Sequence, residues 1–313
     1  MLAEQPISML ARRTALVLAA GLLLACATAP ATGPQSEARR AGDLLLWEVI
    51  SDTGSAHLLG SMHIGTGKHR YDPAITAAYQ GADLLVMEVS AEDLDPTRTV
   101  QLLLERGRLE KNQTLRDLLP AETFGLLEQT LEKQGLPVTG YLAMKPWVVV
   151  LALASQQFAE AGYVPEQGVD RHFLDQAGSE KPIVGLETAE SQFDVFDSMP
   201  MELQIDALVG MLDQKEGAPL DPAALGDAWA RGDLAALEEI IFVEQGQDEE
   251  LDAFYEAMYF RRNREMSDRI AELLEHGQRL FVVVGTGHMV GEAGIPALLA
   301  ARGFDVRRIA RTP

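Results

Sequence analysis

An α/β fold is predicted for this chain: a central mixed β-sheet that starts with a β-hairpin, flanked by helices, with a helical cap or insertion. Three observations predict it. Two runs, Asp83 to Val89 and Arg279 to Gly285, hold too many consecutive apolar residues for half-exposed strands and fit strands buried on both faces. Long stretches at about 96–161 and 188–276 carry helical spacing instead. Upstream of both, two short apolar runs flank a turn sequence, and strands that alternate with helices place a sheet between helical layers.

The elements follow in order. Leu44 to Ile50 and Ala56 to Met62 flank Ser51-Asp52-Thr53-Gly54-Ser55, a hairpin whose turn falls at Asp-Thr-Gly. Asp72-Pro73 supplies an N-cap and a first-turn proline, and Ile75, Ala78 and Tyr79 continue at helical spacing until Gly81. The helical pattern from about Pro96 to Ala161 stops at Gly107, Pro120, Gly135 and Pro137 and restarts in Lys145-Pro146-Trp147. Lys181 to Leu186 returns to strand. Thr188 to Gln247 is helical with breaks at Pro200, Pro219 and Pro222, and Leu251 to His276 reads as one long helix closed by Gly277. After the strand at 279–285, a helix from Gly294 to Ala301 and a strand from Phe304 to Ile309 end the chain.

The beginning of the chain reads as an address. Arg12 and Arg13 precede an uncharged run from Thr14 to Ala25, too short to span a bilayer and suited to the core of a signal peptide. The order Leu23-Leu24-Ala25-Cys26 resembles the lipobox of bacterial lipoproteins. Residues 1–25 are therefore expected to be a lipoprotein signal peptide, with Cys26 the lipidated first residue. Residues 26–42, with Pro30, Gly33, Pro34 and Ser36, read as a flexible tether, and 43–313 as the α/β domain. Ala27 after the cysteine favours the outer membrane, facing the periplasm, over retention at the inner one.

Composition narrows the chemistry. The single cysteine excludes disulfides within the chain and Cys-rich zinc or iron-sulfur sites, so a metal would be held by His and carboxylates. With 26 Lys plus Arg against 47 Asp plus Glu, the net charge of −21 repels phosphate backbones, and nucleic acid is not expected as a partner. Membrane contact is expected only through the lipid anchor.

Two segments are alike, Gly60-Ser61-Met62-His63 and Gly285-Thr286-Gly287-His288, each placing Gly-x-x-His just beyond an apolar strand. The glycine is expected to let the backbone turn sharply, so that the imidazole projects over the sheet edge where α/β folds bind ligands. Two further apolar runs end in Glu88 and Glu187. If the four strands are neighbours, His63, Glu88, Glu187 and His288 converge. Two imidazoles with one or two carboxylates suit a divalent ion such as zinc, manganese, iron or cobalt, which would activate water, with a non-ligating carboxylate as general base. Structural roles compete with these. A lone His at a strand end commonly bonds a backbone carbonyl, and Glu187 could be a plain first-turn carboxylate. Glu88 is the more telling, because an unpaired carboxylate in a buried strand costs several kcal/mol, roughly, and implies a metal, an Arg or a raised pKa.

The paired Gly-x-x-His segments, Glu88, Lys145-Pro146-Trp147, Gly185-Leu186-Glu187-Thr188 and Arg262-Asn263 together resemble the TraB/PrgY/GumN family over about Leu46 to Ile309. Many bacterial relatives carry Gly-Thr-Ile-His where this chain has Gly-Ser-Met-His. Animal relatives, the Tiki proteins, are metal-dependent proteases of secreted signalling proteins, and a plasmid-borne relative dampens peptide pheromone signalling. The resemblance thus implies a metal-dependent hydrolase acting on peptides or proteins at the bacterial cell envelope. It implies His63, His288 and Glu88 as metal ligands, with Glu88 and Glu187 as catalytic candidates. Arg262 and Asn263 would then lie at the mouth or support the ligands, the arginine fork holding a strand-end carboxylate, while a solvated basic helix face is the competing reading of Arg261-Arg262-Asn263-Arg264. A non-catalytic lipoprotein that binds metal or haem, or sequesters peptides, would use the same residue types. Gly168-Val169-Asp170-Arg171-His172 matches a further family motif with no assigned chemistry.

Overall fold

The computed structural model describes residues 43–312 except 68–70, 91–92, 94, 213–220, 244 and 247–248. The expected signal peptide, Cys26 and the tether lie outside the described residues. Six strands, β1 (Asp43–Ile50), β2 (Ser55–Ser61), β3 (Leu84–Val89), β4 (Ile183–Glu187), β5 (Arg279–Gly285) and β6 (Asp305–Ala310), form one sheet in the order β4-β3-β5-β2-β1-β6. Helices α1 (Pro73–Gly81), α2 (Pro96–Arg106), α3 (Leu115–Leu118), α4 (Ala121–Lys133), α5 (Pro146–Glu160) and α6 (Val169–Ala177) precede β4. Between β4 and β5 run α7 (Ala189–Asp197), α8 (Met201–Leu212), α9 (Pro222–Arg231), α10 (Leu234–Ile241), α11 (Glu249–Tyr255) and α12 (Arg261–Glu275), and α13 (Ile295–Ala301) joins β5 to β6. The fold is the α/β class that the sequence predicts, with a mixed sheet opened by a hairpin.

β1 runs antiparallel to β2, with Trp47 opposite Leu58, and the turn closes through the Ser51 N–H on Gly54 O at 3.0 Å. β6 pairs antiparallel with the other edge of β1. The remaining pairs are parallel: Ser61 stands opposite Gly285, Met87 opposite Val283 and Val89 opposite Glu187. Parallel pairing makes β2, β5, β3 and β4 end on one edge.

Period-two alternation divides the apolar side chains between the two faces. Leu46, Leu59, Leu85, Phe281 and Val283 lie under α1 and α6, where Phe173 meets Tyr79 at 5.2 Å and Phe281 at 4.8 Å between ring centroids. Leu45, Leu58, Val86, Val282 and Val284 pack against the larger helical layer, which contributes Trp147, Leu203 and Ile270. Side-chain caps start several of these helices. Asp72, Asp95 and Asp221 accept the N–H of Ala74, Thr97 and Ala223, each just before a first-turn proline.

One departure from the sequence reading matters for the site. Leu251 to His276 is not one regular helix, because a π-helical turn, Glu256–Phe260, separates α11 from α12 and is closed by the Arg261 N–H on Glu256 O. A π turn adds one residue, which rotates everything after it by about 100° around the axis. Arg262 and Asn263 lie just beyond it in the first turn of α12, both buried.

Candidate functional site

His63 follows β2, Glu88 is the next-to-last residue of β3, Glu187 ends β4, and His288 closes a short 3-10 turn after β5. The shared edge brings all four together. His63 Nε2 lies 3.7 Å and His288 Nε2 4.0 Å from the same atom, Glu88 Oε1, which also accepts the Gly285 N–H at 2.6 Å.

Each imidazole is fixed through its other nitrogen. His63 Nδ1 stands 2.9 Å from Asp170 Oδ2, and Asp170 Oδ1 accepts from Ser61 Oγ at 2.9 Å. Asn263 Nδ2 donates to Ala293 O at 2.7 Å, which turns Asn263 Oδ1 towards His288 Nδ1. An amide oxygen only accepts, so His288 carries its proton on Nδ1 and presents the Nε2 lone pair to the Glu88 side. Burial works against charge on His63, but Asp170 and then Glu88 outweigh it and push its pKa up to about 9. His288 is held well below the usual range by burial and by the charges of Arg262 and His63. Burial raises Glu88, opposed by His63 and Arg262. The two imidazoles therefore sit in opposite environments, His63 in one that favours the charged form and His288 in one that favours the neutral form.

Arg262 is 4% exposed and forks onto Glu187, with Nε on Oε2 at 2.9 Å and Nη2 on Oε1. Its Nη2 also lies 3.4 Å from Glu88 Oε2, and Nη1 donates to Met258 O at 2.7 Å. Gln192 Nε2 ties the two carboxylates, donating to Glu88 Oε2 at 3.0 Å and Glu187 Oε1 at 2.8 Å.

The glycines of the paired segments act through space rather than through backbone freedom, which corrects the sequence reading. Neither Gly60 nor Gly285 has a positive φ, and Gly285 sits at −51°. A Cβ on Gly285 would stand 3.0 Å from Glu88 Oε1 and 3.3 Å from His63 Nε2, inside the site. A Cβ on Gly60 would come within 3.2 Å of Thr286 Oγ1, the hydroxyl that donates to Ser61 O at 2.8 Å and locks the two segments together.

Sequence reasoning missed three residues. Asp170 lies in the motif matched without chemistry, at the start of α6, and reaches the imidazole because Gly168 packs closely on the His63 carbonyl and the Val169 N–H donates to Met62 O at 2.9 Å. Gln192 stands one turn into α7 with no pattern to mark it. Tyr259 lies in the π turn with its ring centroid 5.3 Å from that of His288.

A sequence model of the TraB/PrgY/gumN family matches residues 45–308, a span that contains every residue of this constellation. The chain belongs to the TraB/PrgY/gumN family. No curated protein and no solved structure matched it. In this TraB/PrgY/gumN member a cavity of about 370 Å³ opens beside α6, lined by Tyr71, Gln167, Gly168 and His172, and none of the four strand-end residues lines it. No helix among the described residues is long and apolar enough to cross a membrane.

The donors can be tested against a divalent ion. Separations of 3.7 and 4.0 Å exceed hydrogen-bond length yet fall within the span of two metal–ligand bonds of about 2.0 to 2.2 Å each. Both Nδ1 atoms are held, as they are in metal-bound histidines. Among the described residues, however, no group of three or more His, Cys, Asp or Glu side chains is disposed to hold a metal ion. Glu88 would have to release the Gly285 N–H or turn from Arg262 to become the third ligand.

Proposed function

We propose that this TraB/PrgY/gumN member is a metal-dependent hydrolase, a peptidase acting on peptides or proteins at the bacterial cell envelope. The observation that carries the reading is the aim of two imidazole Nε2 atoms at one buried carboxylate oxygen while Asp170 and Asn263 hold the opposite nitrogens. His63 and His288 would hold the ion, manganese, cobalt, zinc or iron, with Glu88 as ligand or general base. Such an ion polarises a scissile carbonyl and lowers the pKa of water. Arg262 keeps Glu88 and Glu187 paired, the Asp170 ion pair and the Asn263 contact hold the two rings, and the buried floor of β3 and β5 excludes bulk solvent. The peptide as substrate rests on the family resemblance to the Tiki proteases and to a relative that dampens peptide pheromone signalling.

Elemental analysis of protein purified without chelators, alongside His63→Ala and His288→Ala, tests the shared ion. The wild type is expected to carry about one ion per chain and each variant to lose most of it. Full stoichiometry in both variants would sink the proposal.

A second reading, a non-catalytic lipoprotein that binds metal or haem or sequesters peptides, draws support from the guanidinium that already engages both carboxylates. Metal-bound wild type that cleaves no unstructured peptide would favour it.

The anchor is proposed from Leu23-Leu24-Ala25-Cys26: a lipid on Cys26, outer-membrane attachment, and a periplasmic domain. Radiolabelled palmitate is expected to mark the wild type and not Cys26→Ser. A wild-type protein that takes up no label and begins elsewhere than Cys26 contradicts it.

A further inference from the structure

Tyr259 is 2% exposed, and its hydroxyl has no hydrogen-bond partner. Buried polar groups are nearly always bonded, so an idle hydroxyl calls for an explanation. Three features place it at the site rather than in generic core. It lies in the π-helical turn Glu256–Phe260, and single π turns recur at functional positions. Its ring tilts against that of His288, with centroids 5.3 Å apart. The second Gly-x-x-His segment also makes room for it, because a Cβ on Gly287 would stand 2.5 Å from Tyr259 Cε1. Gly287 thus admits the phenol beside the metal-candidate histidine. A tyrosine that served packing alone would be replaced by phenylalanine without loss.

We propose that the Tyr259 hydroxyl is a catalytic hydrogen-bond donor of this site, unpaired in the free protein and taken up by the substrate carbonyl oxygen as that carbon becomes tetrahedral. The inference rests on the peptidase reading above. Water oxygen bonds the carbonyl carbon while a water proton passes to Glu88, and the carbonyl oxygen gains the negative charge that Tyr259 stabilises. The C–N bond then breaks, the proton on Glu88 goes to the leaving nitrogen, and the tyrosine keeps its own proton throughout. Burial, opposed by the Arg262 charge and aided by that of Glu88, raises the phenol above its ordinary range, so it keeps a proton to donate near neutral pH. A donor aimed at charge that develops only in the transition state acts on kcat more than on KM.

The test compares wild type and Tyr259→Phe for cleavage of a fluorogenic peptide with manganese, for binding of a phosphinic peptide that mimics the tetrahedral carbon, and for metal-free melting temperature. Expected are a kcat lower by about a hundredfold, KM within about twofold, and weaker phosphinic-peptide binding. The melting temperature should equal or exceed that of the wild type, because no bond is lost. Unchanged kcat, or a melting temperature lower by more than about 4 °C, overturns the proposal. Absence of cleavage by the wild type itself overturns the peptidase reading. The catalytic role of Tyr259 falls with it, whatever the melting comparison shows, whereas cleavage by the wild type with unchanged kcat in Tyr259→Phe overturns the Tyr259 proposal alone.

Discussion

Arg262→Ala is expected to destabilise the metal-free protein by about 3 to 5 kcal/mol near neutral pH, because it leaves two carboxylates in the interior without their guanidinium. The loss depends on pH, with a definite sign. Glu88 is already raised by burial, and removal of the Arg262 charge that opposes this raises it further. The folded variant then binds a proton that the unfolded chain, with a glutamate pKa of about 4.3, releases. Because Glu88 is already raised in the wild type, the variant's deficit grows as pH rises from the wild-type folded value, itself above about 4.3, through the variant's higher one, and it shrinks again in acid. Urea unfolding at about pH 5 and pH 8 measures it. Arg262→Lys keeps the charge without the fork on Glu187, so it should recover only part of the loss. A deficit that is small, or equal at both pH values, would show that the guanidinium does not neutralise the pair.

Glu88→Gln should lower metal-dependent peptide cleavage by about a hundredfold or more. The substitution keeps the shape and removes the charge on the atom that both Nε2 groups face. An amide can still accept the Gly285 N–H, but its NH2 end would then meet Gln192 Nε2 and the Arg262 guanidinium, donor against donor. Metal content distinguishes the two roles of the carboxylate. If Glu88 is the base, the ion stays and the rate falls; if it is a ligand, the two fall together. A variant that keeps both the ion and the wild-type rate would remove Glu88 from the chemistry.

The sequence made the edge of the sheet legible because its strands are apolar runs that break at a chemically distinct residue. Glu88 inside Leu-Leu-Val-Met-Glu-Val stands out since a buried strand tolerates few carboxylates, and both Gly-x-x-His segments follow equally apolar runs. Arg262 is tied to a strand-end carboxylate only through the family resemblance, since the basic run Arg261-Arg262-Asn263-Arg264 reads equally well as a solvated helix face. Asp170 could not, because it reaches His63 through a helix start that sits on the sheet 107 positions later, and no periodicity encodes that contact. The π turn was equally silent, since Glu-Ala-Met-Tyr-Phe satisfies an ordinary helix as well. The purpose of the glycines was misread because close approach across strands is a property of neighbours, which spacing along one chain does not reveal.

The placement of β5 has a consequence for how the protein comes into being. β2 and β3 carry His63 and Glu88 to the site, yet they touch only through β5, which the chain supplies with 189 residues intervening after the end of β3. Ribosomal synthesis delivers the N-terminal part first. Until residues 279–285 emerge, the hairpin on one side and the β3–β4 ladder on the other are two unfinished sheets with open edges. Parallel pairing across such distances is slow. The last strand to join the middle of the sheet also brings His288, so closing the fold and arming the site are one event, and a chain cut short before Arg279 has neither.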